Sequence, residues 1–405
     1  MRSSLGLFSA FALVVALAAC APTLEERKTV TPVAPSAASV APTSPSGPTE
    51  ASPTDRSDEF PIAAFADIGE DPVSDDLAEE FQAALRVMAG GGGMSAAVMS
   101  PDGTWSGAAG KADGVRKVTV DDQFGIASIT KSITAAQVMQ MVEAGELGLD
   151  DPVAGYLPPD LDVDTNGATI RQLLGHRSGI PDWYDSKMQK SVATDRRRVW
   201  TPAEVLDLVG DDRVPAGSAF EYADTNYNLL GMVIEQVRER PVAEVLRDGV
   251  LDVDGTERLV YQPDEAPTEP MAMPLGESTA AIRKGGGSLP SIADASSAGP
   301  AGAIASDSPS LARWWRAFCA GEIVSQASLT EMSTMVDGYG LGLHDYDLPG
   351  AVGHTGGNFG YAAWAACLPE DGSVLVVLTN QFVDDVGGMA QPLVDALVAA
   401  SLRRT

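Results

Sequence analysis

The stretch Ser128-Ile129-Thr130-Lys131 is the only place in the chain where a serine precedes a lysine by three residues. An apolar run over residues 133–142 follows it, and together they predict a helix over 128–145. Residues three apart share one face of a helix, with Cβ atoms roughly 5–6 Å apart. In a dry site, desolvation and neighbouring positive charge would lower the pKa of Lys131, so that its neutral amine could accept the serine proton. The spacing also fits an N-cap at Ser128 and a solvated charge at Lys131.

Two further short motifs follow in chain order. Tyr222-Ala223-Asp224 precedes a predicted helix over 225–240, which Pro241 would end, and His354-Thr355-Gly356-Gly357 precedes a predicted strand over 360–368. Each motif also has an ordinary structural explanation. Tyr222 could be a core aromatic, Asp224 a helix N-cap, and His354 a turn histidine satisfied locally.

Taken together, the order of these motifs resembles that of the serine β-lactamase and DD-peptidase superfamily, and most closely its class C β-lactamase and D-alanyl-D-alanine carboxypeptidase branch. Supporting stretches lie at 124–127, 173–180, 220–231 and 353–361, and the resemblance covers about residues 75–400. It implies an α/β (α+β) fold of the β-lactamase/transpeptidase type. In this fold an antiparallel sheet is flanked by helices, and a mostly helical domain is inserted.

The resemblance also implies a set of catalytic roles. Ser128 would attack a carbonyl and form an acyl-enzyme, Lys131 would take or relay its proton, and Tyr222 would act as a phenolate or proton shuttle. The backbone N–H groups of Ser128 and Gly357 would hold the oxyanion. His354 stands where many relatives have lysine, so it offers positive charge only when protonated.

The neighbouring motif residues receive substrate roles by the same resemblance. His354 and Thr355 would line the strand side of the cleft, where they would orient the substrate and could accept its carboxylate, and Gly356 would accompany them. Asp224 departs from the family pattern, which often has asparagine there. An amide can donate a hydrogen bond to a substrate carbonyl, whereas an ionised carboxylate cannot. Asp224 could instead bind the lysine, bind a substrate ammonium or cap the helix, which weakens a strict β-lactamase or DD-peptidase assignment.

Composition narrows the function classes. The chain has 405 residues, is 44% apolar and carries a net charge of −29, so it can bury a sizeable core and should repel nucleic acid. Three histidines and three cysteines show no metal-binding spacing, so neither a metal nor a cofactor is expected. The glycines at 90–93 precede a strand rather than a helix, which argues against a phosphate-binding loop.

The first residues predict an exported lipoprotein. Arg2, an apolar run over 5–19 and the sequence Leu17-Ala18-Ala19-Cys20 resemble a signal peptide with a bacterial lipobox, which would be cleaved before a lipidated Cys20. Two or more acyl chains would anchor the protein stably outside the cytoplasm. An ordinary secretion signal with a chance cysteine is the alternative. Residues 20–60 are rich in Pro, Ser, Thr and Ala and predict a disordered linker to a domain over 61–400.

The remaining pattern predicts strands near both ends of this domain. A helix over 75–89, a hairpin over 94–109, strands over 360–368 and 373–379, and helices over 308–320 and 388–402 indicate an α/β part at about 75–127 and 300–402. Residues 128–299 are predicted to be mostly helical, with a capping box at Thr201 and a loop-like stretch over 262–300. Trp314 and Trp315 are expected to be partly buried. Cys319 and Cys367 could form a disulfide or remain two buried thiols.

The leading functional hypothesis is a lipid-anchored, D-alanyl-D-alanine carboxypeptidase-like serine hydrolase that acts on peptidoglycan peptides or related small amides and esters. A β-lactamase or an esterase of the same fold is the enzymatic alternative. A slowly acylating penicillin or muropeptide sensor is the alternative of another class. His176 is predicted to be structural. The basic residues Lys187, Lys190 and 196–198 most simply form a solvated helical face, or else a rim that attracts anionic substrate.

Overall fold

The computed structural model describes residues 59–403 apart from 67, 160, 276–286, 347, 349, 359, 382 and 384. The predicted signal peptide, Cys20 and nearly all of the predicted linker therefore lie outside the described residues. The linker was predicted to reach residue 60, but Phe60 belongs to the folded body. Its N–H donates to Thr330 Oγ1 at 2.9 Å, and its side chain is buried. None of the described helices combines the length and apolarity needed to cross a bilayer.

The strands form one large and one small sheet, both antiparallel. In chain order they are β1 Gly93–Ser100, β2 Gly103–Gly110, β3 Phe124–Gly125, β4 Val260–Tyr261, β5 Ile304–Ser306, β6 His344–Asp345, β7 Val352–Asn358, β8 Tyr361–Leu368 and β9 Ser373–Thr379. The large sheet has the order β2-β1-β9-β8-β7-β6, and the small one β3-β5-β4. The predicted hairpin over 94–109 is confirmed as β1–β2, and the predicted strands over 360–368 and 373–379 are confirmed as the antiparallel pair β8–β9.

The helices lie before, between and after these strands. In chain order they are α1 Asp75–Ala89, α2 Ile129–Glu143, α3 Ile170–Leu174, α4 Ser186–Thr194, α5 Pro202–Leu206, α6 Asp224–Arg238, α7 Val242–Asp248, α8 Ile292–Ala298, α9 Ser308–Cys319, α10 Gln326–Met332 and α11 Gln391–Leu402. Short 3-10 turns occupy Ile62–Phe65, Val153–Tyr156, Gly299–Ala301 and Gly388–Ala390. The capping box predicted at Thr201 is present at the start of α5.

The large sheet is covered on both faces, which is why its inner strands read as continuous apolar runs. Successive side chains of a strand point to opposite faces. Met94, Ala96 and Val98 of β1 join α1 and α11 in one apolar cluster, while Ala97 and Met99 join the larger cluster that contains α2 and α9. This antiparallel sheet with helices on both faces confirms the predicted fold class.

Helix α9 lies deeper than the sequence indicated. Trp314 and Trp315 were expected to be partly buried, but both are fully buried because α9 packs on β1, β8 and β9. Cys319 at the end of α9 forms a disulfide with Cys367 of β8, with their Cα atoms 6.5 Å apart. The disulfide, rather than two thiols, therefore joins this helix to the centre of the sheet.

The middle of the chain supplies the helices that surround α2. Twelve of the fifteen residues of α2 are buried, so this helix lies within the core rather than on the surface. The loop predicted over 262–300 is wrong in its last part, where α8 spans Ile292–Ala298 with Ser291 as its N-cap. That helix has seven residues, most of them Ala and Ser, so it carries no apolar period that a sequence pattern could reveal.

Candidate active site

Ser128 lies at the start of the buried helix α2, where its hydroxyl meets Lys131. Lys131 Nζ donates to Ser128 Oγ at 3.0 Å, as the spacing of the motif predicted. Ser128 occupies the N-cap position, but its side chain makes no capping hydrogen bond, so the capping explanation is wrong. The preceding Ala127 adopts a left-handed φ of 47°, a conformation that costs a non-glycine residue roughly 1–2 kcal/mol. The backbone therefore turns sharply just before the nucleophile.

Lys131 is fully buried among the residues of the second motif. Its ammonium lies 2.6 Å from Asp224 Oδ1 and 4.9 Å from the centre of the Tyr222 ring, and it donates to Ala301 O at 2.8 Å. Burial is the largest influence and lowers the pKa of Lys131, but the negative charge of Asp224, the interactions with Tyr222 and the Asp224 hydrogen bond together raise that pKa. The expectation of a lowered lysine pKa is therefore wrong, because it omitted the carboxylate.

Tyr222 presents its hydroxyl to the same two residues. The residue exposes 38% of its surface, yet its hydroxyl interacts with both Lys131 and Ser128. Burial of the hydroxyl raises the pKa of Tyr222, the Lys131 ammonium lowers it, and Asp224 raises it, with a net increase. The resting site thus holds a neutral phenol beside an ammonium, rather than the phenolate that a cation alone would favour.

Asp224 is the first residue of α6 rather than its N-cap, which is Ala223. Its carboxylate faces Lys131, so of the roles considered for Asp224 the structure shows lysine binding. His176 holds the segment in place. Its Nδ1 accepts from Ala223 N–H at 3.2 Å, and its ring centroid lies 4.2 Å from that of Tyr222. The structural role predicted for His176 is thus that of positioning the tyrosine.

His354 lies on β7 and is buried. A backbone carbonyl can only accept, so His354 Nδ1 donates to Thr355 O at 2.5 Å and its Nε2 accepts from the Tyr339 hydroxyl at 3.1 Å. Burial, together with His344 and Lys131, lowers the pKa of His354 well below its usual range. His354 is therefore neutral near pH 7 and offers no positive charge to a substrate carboxylate there, while its role in orienting the substrate stays a prediction.

The glycines of the third motif bring β7 against the start of α2. A Cβ on Gly356 would lie 2.1 Å from Ile126 O, so only glycine permits this approach. The next residue, Gly357, is exposed and has open space on its Cβ side, while Thr355 is half-buried. The strand therefore runs past the nucleophile, as the resemblance implied. The oxyanion role of the Ser128 and Gly357 N–H groups stays a prediction.

Sequence reasoning missed two acidic residues of this region, Asp182 and Asp294. Asp182 Oδ1 accepts from Asp224 N–H at 3.0 Å, and Asp294 Oδ2 accepts from Asn358 Nδ2 at 2.8 Å. Burial and the charge of Asp224 raise the pKa of Asp182 to about 7 and that of Asp294 to about 8. Asp294 lies in the stretch that was predicted to be a loop, and Asp182 belongs to no motif. No pattern in the single sequence could therefore identify these two residues.

No group of three His, Cys, Asp or Glu side chains suited to a metal ion occurs in the described part of the chain. The four residues predicted to be catalytic nevertheless converge. Lys131 contacts Ser128, Tyr222 and Asp224, and the rings of Tyr222 and His354 have centroids 6.4 Å apart. Their catalytic roles remain predictions, which the experiments below test.

Comparisons with known proteins agree with this geometry. The chain is 31% identical over 292 residues to penicillin-binding protein 4 of Amycolatopsis lactamdurans, covering 65% of this chain and 73% of that protein. The D-amino acid amidase of Ochrobactrum anthropi SV3, solved with L-phenylalanine amide, has a TM-score of 0.70 at 25% identity, covering 82% of this chain and all of the amidase. A D-stereospecific amidohydrolase from Streptomyces has a TM-score of 0.66 at 28% identity, over 80% and 99% of the two chains. The sequence profile of the β-lactamase family matches residues 75–400, and the chain belongs to this family of serine hydrolases.

Proposed function

We propose that this protein is an extracytoplasmic, lipid-anchored serine amidohydrolase that cleaves amide bonds next to D-configured residues through an acyl-enzyme on Ser128. The observation that carries the proposal is the buried Lys131 ammonium, which contacts Ser128 Oγ at 3.0 Å and is held there by Asp224. The D-amino acid amidase and the D-stereospecific amidohydrolase, which share this fold over most of the chain, support the substrate class.

In the proposed reaction Ser128 Oγ attacks the amide carbonyl, and its proton passes to the Lys131–Tyr222 pair. The same pair then protonates the leaving amine, and water hydrolyses the resulting ester. Both Lys131 and Tyr222 carry a proton in the resting site, because their pKa values are raised. One proton must leave the pair before it can accept that of Ser128, so the rate should rise towards alkaline pH.

D-alanyl-D-alanine carboxypeptidase activity is the second candidate, supported by the similarity to penicillin-binding protein 4. A carboxypeptidase has to accommodate the carboxylate of the residue that leaves. The buried, neutral His354 offers no positive charge for it, and three acidic residues contact the site, namely Asp224 at Lys131, Asp182 at the Asp224 backbone and Asp294 at Asn358. For that reason we place amides without a terminal carboxylate first.

The extracytoplasmic location rests on the leader and on the disulfide. The apolar run before Cys20 supports export and lipidation. The bridge between Cys319 and Cys367 supports an oxidising compartment, since such bridges are rare in the cytosol. A lipid-anchored enzyme outside the membrane would have access to peptides of the cell wall.

The nucleophile is tested with a fluorophosphonate probe on the wild type and on Ser128→Ala. We expect the wild type to be labelled and Ser128→Ala to be unlabelled, because only an activated serine reacts. Equal labelling of the two proteins would overturn the assignment of Ser128.

The reaction class is tested with a substrate panel of D-phenylalanine amide, diacetyl-Lys-D-Ala-D-Ala, nitrocefin and a p-nitrophenyl ester. We expect multiple turnovers on D-phenylalanine amide. Turnover confined to nitrocefin would indicate a β-lactamase, and turnover confined to the p-nitrophenyl ester an esterase. A stoichiometric burst on every substrate would favour the slowly acylating sensor.

A further inference from the structure

Three acidic side chains contact residues of the site other than the nucleophile, and we call Asp182, Asp224 and Asp294 the acidic wall. Asp224 is linked to Lys131 Nζ at 2.6 Å, and Asp182 Oδ1 accepts the Asp224 N–H at 3.0 Å. Asp294 approaches from α8 and holds Asn358, the last residue of β7, through a 2.8 Å hydrogen bond. The acidic wall therefore joins the lysine side of the site to the strand side.

Within the described residues, only one of the three carboxyl groups of the acidic wall is paired with a cation. Lys131 pairs with Asp224, whereas within the described ranges neither Asp182 nor Asp294 forms an ion pair. Asp294 exposes only 3% of its surface. Taking a carboxylate out of water without a cation is costly. Accordingly, the pKa of Asp182 is raised to about 7 and that of Asp294 to about 8, so near pH 7 the free protein holds Asp182 partly and Asp294 mostly protonated. A cationic group of a ligand would stabilise their ionised forms.

Asn358 provides a second, independent indication of what the ligand donates. Its Nδ2 is bound to Asp294, which fixes the amide, and its buried Oδ1 has no hydrogen-bond partner among the described residues. The unfilled position here is a hydrogen-bond acceptor, the amide oxygen of Asn358, which belongs to the side chain that binds the carboxyl group of Asp294. An ammonium group has three N–H donors and no acceptor, and so it matches this position.

The position of the acidic wall indicates which part of a substrate would carry this ammonium. Lys131 Nζ contacts both Ser128 Oγ and Asp224 Oδ1, so the wall begins within two hydrogen-bond lengths of the nucleophile. In an amino acid amide the α-nitrogen is two bonds from the carbonyl carbon that the serine attacks. A group on the acyl side of the bond, close to the reacting carbon, therefore lies within reach of the wall.

We propose that the acidic wall binds the free α-ammonium group of the substrate, so that the enzyme acts on amino acid amides and N-terminal residues in preference to N-acylated ones. This inference rests on the proposed amidohydrolase function and specifies its substrate class. The same charges repel a carboxylate placed next to the scissile bond, which excludes one substrate group while favouring another.

The inference is tested with D-alanine p-nitroanilide and N-acetyl-D-alanine p-nitroanilide, which differ only in the charge of the amino group. The measured quantity is the ratio of their kcat/KM values. We expect a ratio of at least about 10 in the wild type and a decrease of about 10-fold or more in Asp294→Asn, since one partner of a buried charge pair is removed. Asp252→Asn, at an exposed aspartate after α7, is the matched control and should keep the wild-type ratio.

The outcomes separate the inference from the proposed function. A wild-type ratio near or below 1, or an unchanged ratio in a folded Asp294→Asn, overturns the acidic wall as the ammonium site and leaves the amidohydrolase function intact. If Asp294→Asn does not fold, Asp182→Asn is measured in the same way with the same two criteria. If fluorophosphonate labels Ser128 but neither anilide is hydrolysed, the amidohydrolase function is overturned, and the inference with it.

Discussion

At the scale of single residues, Asp224 changes the chemistry of the site most. Where many relatives have an amide, this chain has a carboxylate 2.6 Å from the buried Lys131 ammonium. Burial is the largest single influence and lowers the pKa of Lys131, but the charge of Asp224, its hydrogen bond and the interactions with Tyr222 together outweigh burial and raise that pKa. Asp224 therefore holds the general base in its protonated form at rest, and it sets the pH at which that base becomes available.

Asp224→Asn should make the enzyme active at lower pH. Asp224 raises the pKa of Lys131, so its removal lowers that pKa, and the neutral amine becomes populated at lower pH. We expect the acid limb of the kcat/KM profile, which reports ionisations of the free enzyme, to move to lower pH. The measurement uses p-nitrophenyl acetate, which has no amino group and so does not depend on the acidic wall for binding.

The control for this profile is Asp252→Asn, which should leave the acid limb in place. If the acid limb of the kcat/KM profile stays at the same pH in Asp224→Asn, or moves to higher pH, deprotonation of Lys131 does not limit kcat/KM. Because Lys131 and Tyr222 interact closely, the observed ionisation belongs to the pair rather than to either residue alone.

At the scale of secondary-structure elements, the contact of α2 with β7 and the packing of α9 on the large sheet hold the site together. Gly356 lets β7 lie against the backbone of Ile126, just before the nucleophile. Helix α9 packs on the same large sheet and is fixed to β8 by the disulfide between Cys319 and Cys367. The strand that borders the site thus belongs to a sheet that is cross-linked to its covering helix.

Removal of this disulfide should lower stability. The two cysteines are 48 residues apart. Closing a loop of that length lowers the entropy of the unfolded chain, which in the chain-entropy treatment adds about 4 kcal/mol to the free energy of unfolding. We expect Cys319→Ser/Cys367→Ser to lower the free energy of unfolding by about this amount, measured by urea denaturation. Dithiothreitol should shift the wild type in the same direction and leave the double variant unchanged. Equal midpoints for the wild type and the double variant would contradict the prediction.

At the scale of the whole molecule, the protein combines a net charge of −29 with an acidic active site. Electrostatic attraction would favour cationic ligands over anionic ones, in the same sense as the acidic wall. Such a charge also opposes adsorption to anionic lipid. Attachment to a membrane would therefore have to come from a covalent lipid rather than from the protein surface.

Cys20→Ser should release the protein from the membrane fraction. Without the thiol no diacylglycerol can be attached, and the proposed anchor is lost. We expect the wild type to enter the detergent phase on Triton X-114 partitioning. A cleaved or released variant should enter the aqueous phase and keep its fluorophosphonate labelling. Equal detergent-phase recovery of processed wild-type and variant protein would argue against lipidation at Cys20.

The sequence by itself determined the order of the motifs, and through them the family, the sheet-and-helix fold and the position of the nucleophile. This was possible because Ser128 and Lys131 are three residues apart on one helix, so local geometry alone places their side chains together. The mostly apolar run of β1 and the turn residues of the two hairpins are local signals of the same kind.

Only the tertiary structure decided the electrostatics of the site. The pKa directions of Lys131, Tyr222 and His354 depend on burial and on charges from distant parts of the chain, and two of the three acidic-wall residues, Asp182 and Asp294, belong to no motif. The physical reason is that a Coulomb interaction depends on distance in space and on the surrounding dielectric. Residues 182, 224 and 294 acquire their common effect only when α6 and α8 meet β7 around the nucleophile.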